Sequence, residues 1–454
     1  MICLIAAMHA SGTTGALSTD LAELLLGRLE RLPDSRRWVI ALSGGVDSRV
    51  LLELCARTLP REKLLALHIN HQLQADAGAW QDWCASECQR LGVAFTSLSV
   101  DPGSGSEAEL RDARYRAFES VLKPGDWLLL AQHADDQAET FLLRLLRGAG
   151  VRGLSGMPWQ RPVGQGQLYR PLMDQPRAVL EAWARQEQIE WVEDPSNASD
   201  RYDRNWIRQR ILAPLKQRKP AVLERLVATT AQLAETDQLL DEIAAGDLAA
   251  MQTVAECLPL AALQQLSLPR QRNLIRHWVF TCTGDRLSQD ELLEVEQSVI
   301  AAGEDRTPLL RLGGFELRRY RGQLFLTEAL APRSEPFDLN CTAHGSVVLA
   351  QGVIEFHPAN GVGLAEGETL RLDYRRGGER LRPLGRGGSV SLKQLLQEAG
   401  VPPWLRPGWP ILYRGDQLVA VPGICLCEEV VTTGGLIPSW RPSGLSEGVC
   451  FGRL

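Results

Sequence analysis

The sequence has no Cys-x-x-Cys pair, no apolar run of the roughly 18–20 residues that a membrane span needs, no internal repeat and no excess of positive charge. Each absence excludes something. The ten cysteines are scattered, and Cys84 and Cys88, one helical turn apart, have no second pair or nearby histidine to complete a zinc site. Most lie in apolar segments, where a reduced thiol packs as a small hydrophobe, so all ten are expected to be structural. Met1 to Ala7 is apolar but lacks the basic start and long core of a signal peptide. The expectation is a soluble cytoplasmic protein with no membrane partner. A net charge of −6 and a pI near 5.8 exclude a uniformly basic nucleic-acid coat. They leave room for a local basic stripe, which is all that phosphates require. At about 150 residues per domain, 454 residues suggest three domains, and 44% hydrophobic content is enough to build their cores.

The first 150 residues alternate short apolar runs with amphipathic stretches. Trp38–Leu42, Leu64–Ile69, Ala94–Val100 and Trp127–Ala131 read as strands. Ser48–Leu59, Gly78–Leu91, Glu107–Leu122 and Asp135–Arg147 read as the helices between them. Continuous apolar strands joined by helices predict an α/β domain, a doubly wound parallel sheet covered on both faces. Ligands of such sheets bind beyond the carboxyl ends of the strands. Further helices are predicted at Arg177–Gln188, Asn205–Gln217 and Ala221–Met251, and a helical middle region to about Glu296. Pro332–Pro336 reads as a linker. Short strands with one helix near Leu392–Ala399 follow, and Arg441–Leu454 reads as a loose tail. The expected domains are 18–220, 221–332 and 337–440, the last a small α+β domain.

At the first strand end stands Ser43-Gly-Gly-Val-Asp-Ser48. The glycines allow a tight turn and close approach to a ligand, and amides at a helix start favour an anion. Ser43 and Ser48 add hydroxyls. Asp47 is out of place beside phosphate unless a divalent metal, Mg²⁺, bridges the two. A plain helix start capped by Asp47 or Ser48 is the alternative. The hexapeptide has neither the Gly-Lys-Ser/Thr of a Walker loop nor the Gly-x-Gly-x-x-Gly of a dinucleotide site. It resembles the pyrophosphate loop of the ATP-pyrophosphatase superfamily, whose members split ATP between its α and β phosphates. That resemblance implies a Rossmann-like, adenine nucleotide alpha-hydrolase-like domain. It also implies ATP contacts at Ser43, Gly44, Gly45, Val46, Asp47 and Ser48.

Three segments fall at the other strand ends: His68-Ile-Asn-His71, Glu107 to Tyr115, and Gln132-His-Ala-Asp-Asp-Gln-Ala-Glu-Thr140. Singly, each has an ordinary explanation as a rim histidine, a solvated helix face or a helix cap. Together, on one edge of one sheet, they resemble the tRNA(Ile)-lysidine synthetase family. The resemblance continues through Leu145–Gly150, Gly153–Met157, Arg170–Leu172, Asp194–Asn197 and Arg204–Arg208. It returns at Arg376–Arg380, Pro383–Arg386, Leu392–Gln397, Val401–Arg406 and Trp409–Leu412. After His71 the family often has Gly-Leu-Arg, whereas Gln72-Leu73-Gln74 stands here, which puts a basic contact at Gln74 in question.

The resemblance implies ligation of free L-lysine to C2 of the wobble cytidine of tRNA(Ile) with a CAU anticodon, through an adenylated cytidine. It implies ATP and Mg²⁺ as cofactors, with Asp47 placing the metal, and a homodimer in many members, although no dimer face is visible. His68 would join the nucleotide site. Arg111 and Arg114 would stabilise phosphate or adenylate oxygens. Asp136 would bind or deprotonate the incoming lysine, with His133 as the base or a positioning group.

Two basic islands would meet RNA. Arg201–Lys219 carries seven cations against Asp203 alone, among them Arg204 and Arg208. Arg371–Lys393 carries seven, including Arg380 and Arg386, against Asp373 and Glu379. Trp206, Tyr374 and Trp404 are candidates to stack on bases. Rival readings are a tRNA thiolation enzyme, an ammonia-using amidotransferase, or a non-catalytic RNA-binding protein on a nucleotide fold. The first wants paired cysteines and the second a glutaminase nucleophile, neither of which is visible. The third is disfavoured by the intact Gly44, Gly45, Asp47, Arg114 and Asp136.

Overall fold

Arg37–Ala41 (β1) is flanked on both sides by parallel strands, so its side chains are buried on two faces. Trp38, Ile40 and Leu42 point into one apolar layer, and Val39 into the other. That two-residue alternation is the reason a continuous apolar run forms an inner strand here. The computed structural model describes residues 20–72, 76–101, 103, 107–193, 203–253, 255–303, 306–329, 339–428 and 432–443. The Asp194–Asn197 motif, Gln74, the Pro332–Pro336 linker and residues 444–454 of the expected tail lie outside them, whereas Arg441 and Pro442, expected in that tail, close a strand that runs Leu436–Pro442. Contacts divide the chain into two units, 1–239 and 240–454.

In the first unit the sheet runs β3-β2-β1-β4-β6-β5, with β2 at Leu64–Asn70, β3 at Ala94–Ser99, β4 at Asp126–Leu129, β5 at Gln160–Val163 and β6 at Gly166–Tyr169. All pairings are parallel except the β5–β6 hairpin. The doubly wound sheet matches the expectation, extended by two strands beyond Gly150. One face is covered by α1 (Asp20–Leu29), α2 (Val46–Thr58), α3 (Ala77–Leu91) and later in the chain by α7, through Leu25, Leu51, Leu54, Cys88, Leu180 and Trp183. Phe118 and Leu122, from α4 (Glu107–Val121) and the residue after it, cover the other with Val39, Leu67 and Leu128. Strand order reverses between β1 and β4. The loops after these two strands therefore diverge to opposite sides and leave a crevice at their carboxyl ends.

The chain continues through α5 (Ala134–Leu146), α6 (Val151–Leu154), α7 (Arg177–Gln186) and α8 (Asp203–Trp206). A π-helical turn, Ile207–Leu212, joins α8 to α9 (Ala213–Arg218), and α10 spans Val222–Ala250.

The second unit holds helices α11 (Leu260–Gln265), α12 (Leu268–Thr283) and α13 (Gln289–Glu294). They pack on a four-stranded antiparallel sheet of β7 (Cys257–Pro259), β8 (Leu309–Leu312), β9 (Phe315–Tyr320) and β10 (Gln323–Glu328), around fully buried Trp278. The helices were expected but the sheet was not, since its strands are short and rich in arginine. Beyond residue 338, five- and three-stranded sheets and helix α14 (Leu392–Glu398) enclose a core centred on Trp409, Ile411 and Leu412. Among the described residues eight cysteines are free thiols, seven of them buried. No described helix is long and apolar enough to cross a membrane.

Leu51 is fully buried where α2 meets the sheet. Leu51→Ala is expected to lower stability by about 2–5 kcal/mol in denaturant unfolding.

Candidate active site

The loop after β1 is a tight turn held by its own serines. Gly44 has φ +89°, a region unfavourable to any side chain, and a Cβ there would lie 3.2 Å from Cys84 Sγ. Ser48 Oγ donates to Gly45 O (3.0 Å) and accepts from Ser43 N (3.2 Å), while the two serine hydroxyls lie 3.1 Å apart. Val192 N donates to Gly44 O (3.0 Å), fixing the loop from outside. Gly45 rather than Asp47 occupies the cap position of α2, and it makes no side-chain cap. The plain capping explanation of Asp47 therefore does not hold. Val46 contributes a buried side chain to the core.

Opposite this loop, His133 caps α5. Its Nδ1 accepts the amide of Asp136 at 3.4 Å, and its own amide donates to Asp136 Oδ2 at 3.1 Å. The ring is 2% exposed. Its Nε2 lies 3.5 Å from both Asp47 Oδ2 and Asp136 Oδ2, so one imidazole edge joins the two loops across the crevice. Burial opposes charge on His133, but the carboxylates of Asp136, Asp47 and Asp135 outweigh it and raise its pKa. Burial likewise opposes ionisation of Asp47. His133, Arg177 and Arg208 prevail and hold it below the usual carboxylate value. Asp47 Oδ1, 3.8 Å from Arg177 Nε, is buried and accepts no hydrogen bond from the described residues.

Behind these groups lies a carboxylate that the motif reading passed over. Glu139, on the same face of α5 as Asp136, is fully buried and receives Arg204 Nε (2.9 Å) and Arg208 Nε and Nη2 (2.6 and 3.1 Å). The same arginines reach Asp136 Oδ1 at only 3.7 and 3.8 Å. Asp135 is occupied elsewhere. It accepts the Arg177 amide (2.9 Å) and pairs with Lys216. The π-helical turn sits between Arg204 and Lys216, and such turns recur at functional sites. The signal available in the sequence was the spacing: Asp136 and Glu139, three residues apart, share one helix face.

The structure thus brings together Ser43, Gly44, Gly45, Asp47, Ser48, His133, Asp136, Arg204 and Arg208. His68 is buried beside the loop, its Nδ1 2.9 Å from Leu42 O, and burial lowers its pKa. Arg114 reaches His71 at 3.4 Å, and Arg111 lies over the Tyr115 ring; both are exposed and neither touches the carboxylates. Arg380 and Arg386 belong to the other unit, where Arg380 donates to Ser389 O (3.1 Å) and Arg386 pairs with Glu398 (2.6 Å). Two expectations need correction. Arg204, Arg208 and Lys216 neutralise carboxylates, so the first basic island is less positive than its sequence suggests. Tyr374 is 2% exposed and does not present its ring to solvent, whereas Trp206 is 43% exposed.

A glycine loop at the switch point of a doubly wound sheet, facing a carboxylate–imidazole cluster, defines a pyrophosphate-loop nucleotide enzyme. The family models agree: a PP-loop domain matches residues 17–215, a TilS substrate binding domain 258–325 and a TilS substrate C-terminal domain 370–437. The tRNA(Ile)-lysidine synthase of Pseudomonas aeruginosa is 41% identical over 94% of this chain and 98% of its own length. Those of Coxiella burnetii (91% and 94% covered) and Escherichia coli O157:H7 (89% and 96%) are each 38% identical. The chain belongs to the tRNA(Ile)-lysidine synthase family, and is an ATP-using ligase.

Removing Glu139 would leave two guanidinium groups without their buried partner, and Glu139→Ala is expected to cost about 3–5 kcal/mol in unfolding stability. Asp135 gives a second test. Its pKa is lowered despite burial by the Arg177 amide, Lys216 and His133. Its stabilisation is therefore full above the ordinary value of 3.8 and lost as pH falls through the lower folded value. The stability gap between wild type and Asp135→Asn should be constant near neutrality and close in acid, as read by urea unfolding at several pH values.

Proposed function

We propose that this chain joins free L-lysine to C2 of the wobble cytidine of tRNA(Ile) bearing a CAU anticodon, in the cytoplasm, changing the tRNA from a methionine to an isoleucine decoder. The observation that carries this reading is the convergence of the Ser43–Ser48 loop with Asp47, His133 and Asp136 at one switch point. The C2 carbonyl is a poor electrophile, so its oxygen must first become a leaving group. In the first step that oxygen attacks the α phosphorus of ATP, and the bond to the bridging oxygen breaks to release pyrophosphate. In the second, the lysine ε-amine, having shed a proton, adds to C2. The C2–O bond then breaks, AMP leaves with the oxygen, and the new nitrogen loses its remaining excess proton.

The loop amides and serine hydroxyls hold the phosphates, with His68 packed beneath. Arg111 and Arg114, exposed on α4, meet charge on phosphate or adenylate oxygens. Asp136 receives the lysine ammonium, being less tightly engaged by Arg204 and Arg208 than Glu139 is. His133 keeps Asp47 and Asp136 at fixed separation. The residues also suit Mg²⁺. Asp47 Oδ1 is a hard oxygen that accepts no hydrogen bond from the described residues, and no described cluster of three or more metal-ligating side chains would hold an ion without phosphate help. Asp47 would hold the ion, which when bound offsets negative charge on the departing pyrophosphate. The functional divisions are 18–220 for catalysis, with 221–332 and 337–440 for gripping the RNA. Arg380 and Arg386 make phosphate contacts in the last.

Purified chain, ATP, Mg²⁺ and radiolabelled lysine should label tRNA(Ile) with a CAU anticodon and leave tRNA(Met) unlabelled. Asp47→Ala should lose at least a hundredfold in rate. No label on either tRNA, with ATP still split to AMP on another acceptor, would discard the lysine reaction. Arg380→Glu with Arg386→Glu should weaken tRNA binding by about tenfold or more and flatten its salt dependence; an unchanged salt slope would remove that surface from the RNA interface.

A further inference from the structure

The second unit contains a cavity of about 680 Å³ lined by Arg306, Thr307, Arg319, Tyr320, Arg321 and Gln397. We infer that it binds a backbone phosphate of the RNA substrate, gripping the tRNA at a point that belongs to neither basic island. The inference rests on the tRNA reading above and adds a specific site to it.

Three observations support it. The first is charge. Arginines elsewhere in this unit are commonly matched by carboxylates, as in Arg376–Asp373, Arg386–Glu398, Arg414–Glu368 and Arg272–Glu296. Among the described residues none of the Arg306, Arg319 and Arg321 guanidinium groups has a carboxylate partner. Arg319 donates to Ile300 O and Ala302 O, and Arg321 to Gln397 O (2.7 Å). Carbonyls at helix ends carry only fractional negative charge, so among the described residues these contacts orient the guanidinium groups without neutralising them.

The second is backbone strain. Arg321 and Gly322 are the two central residues of the β9–β10 turn, with φ of +47° and +70°. A two-residue turn with both φ positive favours Asn-Gly, and an arginine there is an exception. Such a strained position, beside a cavity, points to a use for that side chain.

The third is rigidity. The floor of the site is fixed by Arg406, which donates to Tyr320 Oη (2.9 Å) and Val401 O (2.7 Å). Trp404 packs edge-on against Tyr320 and Phe325, with ring centroids 6.0 and 5.6 Å apart. The middle sheet and helix α14 are thereby held together, and the arginines are preorganised for a planar, multidentate phosphate contact.

The test is the full-length chain with Arg306→Gln and Arg321→Asn combined. Asparagine suits the turn, so the variant should unfold no earlier than wild type. Arg311→Gln serves as a control for loss of an arginine charge outside the cavity: Arg311 is exposed on β8, faces Glu316 and does not line the cavity. Binding of tRNA(Ile) is measured from 50 to 200 mM salt. The double variant should bind about tenfold more weakly, with the slope of log K against log salt shallower by one to two, and the control should match wild type. Unchanged affinity and slope in the double variant would overturn the inference. Variant-sensitive binding of inorganic phosphate with tRNA affinity unchanged would also overturn it and assign the cavity to a free anion. If wild type makes no lysidine yet the variant still loses RNA affinity, the proposed function falls while the phosphate site stands.

Discussion

Three carboxylates, Asp47, Asp135 and Asp136, crowd around one buried imidazole at the edge of the sheet, with Glu139 three residues beyond Asp136 on the same helix, and they coexist only because cations are brought to them. Burial alone would push Asp47 and Asp135 toward their protonated forms. The compensating charges come from elsewhere in the chain. Arg177 opens α7, Arg204 and Arg208 flank the start of the π-helical turn, and Lys216 follows on α9. The sheet edge alone supplies a phosphate loop and a set of acids. The docking of residues 203–218 turns them into a site with fixed charge states. Fold stability and site geometry therefore rest on one set of ion pairs.

The same arrangement would leave room for the cationic substrate proposed above. Glu139 is saturated by two arginines at hydrogen-bonding distance, whereas Asp136 is touched by them only at 3.7–3.8 Å. On the proposed function, an ammonium arriving beside Asp136 would meet a carboxylate that the arginines touch only distantly. Glu139 keeps the arginines from closing over Asp136. The two acids, three residues apart on one helix, thus differ in how tightly the arginines hold them.

Much of this was legible in the sequence, for identifiable reasons. The first four strands and their helices carry hydrophobic periodicity strong enough to set their limits within two or three residues. The phosphate loop declared itself because few other structures need Gly-Gly-Val-Asp-Ser at a strand end. What stayed hidden depended on long-range pairing. Glu139 read as one more polar residue on an amphipathic helix, and only the arrival of Arg204 and Arg208, 65 and 69 residues later, shows it to be buried and doubly paired. The run from Arg201 to Lys219 looked like an RNA-facing stripe because charge in a sequence does not reveal which cations are already matched. Tyr374 looked exposed for a similar reason, its basic neighbours masking a position inside a strand. The sheet of β7 to β10 was missed because its short strands are interspersed with arginines, one of which, Arg321, sits in a turn that would ordinarily take asparagine.

The account stands on an oxygen of the RNA attacking ATP at the switch-point loop and leaving with AMP. The most direct measurement uses tRNA(Ile) carrying ¹⁸O at C2 of the wobble cytidine, with the AMP formed during a single turnover analysed by mass spectrometry. The account predicts one ¹⁸O atom in AMP for every lysine joined. Label released as water, or ATP cleaved to ADP, would contradict it.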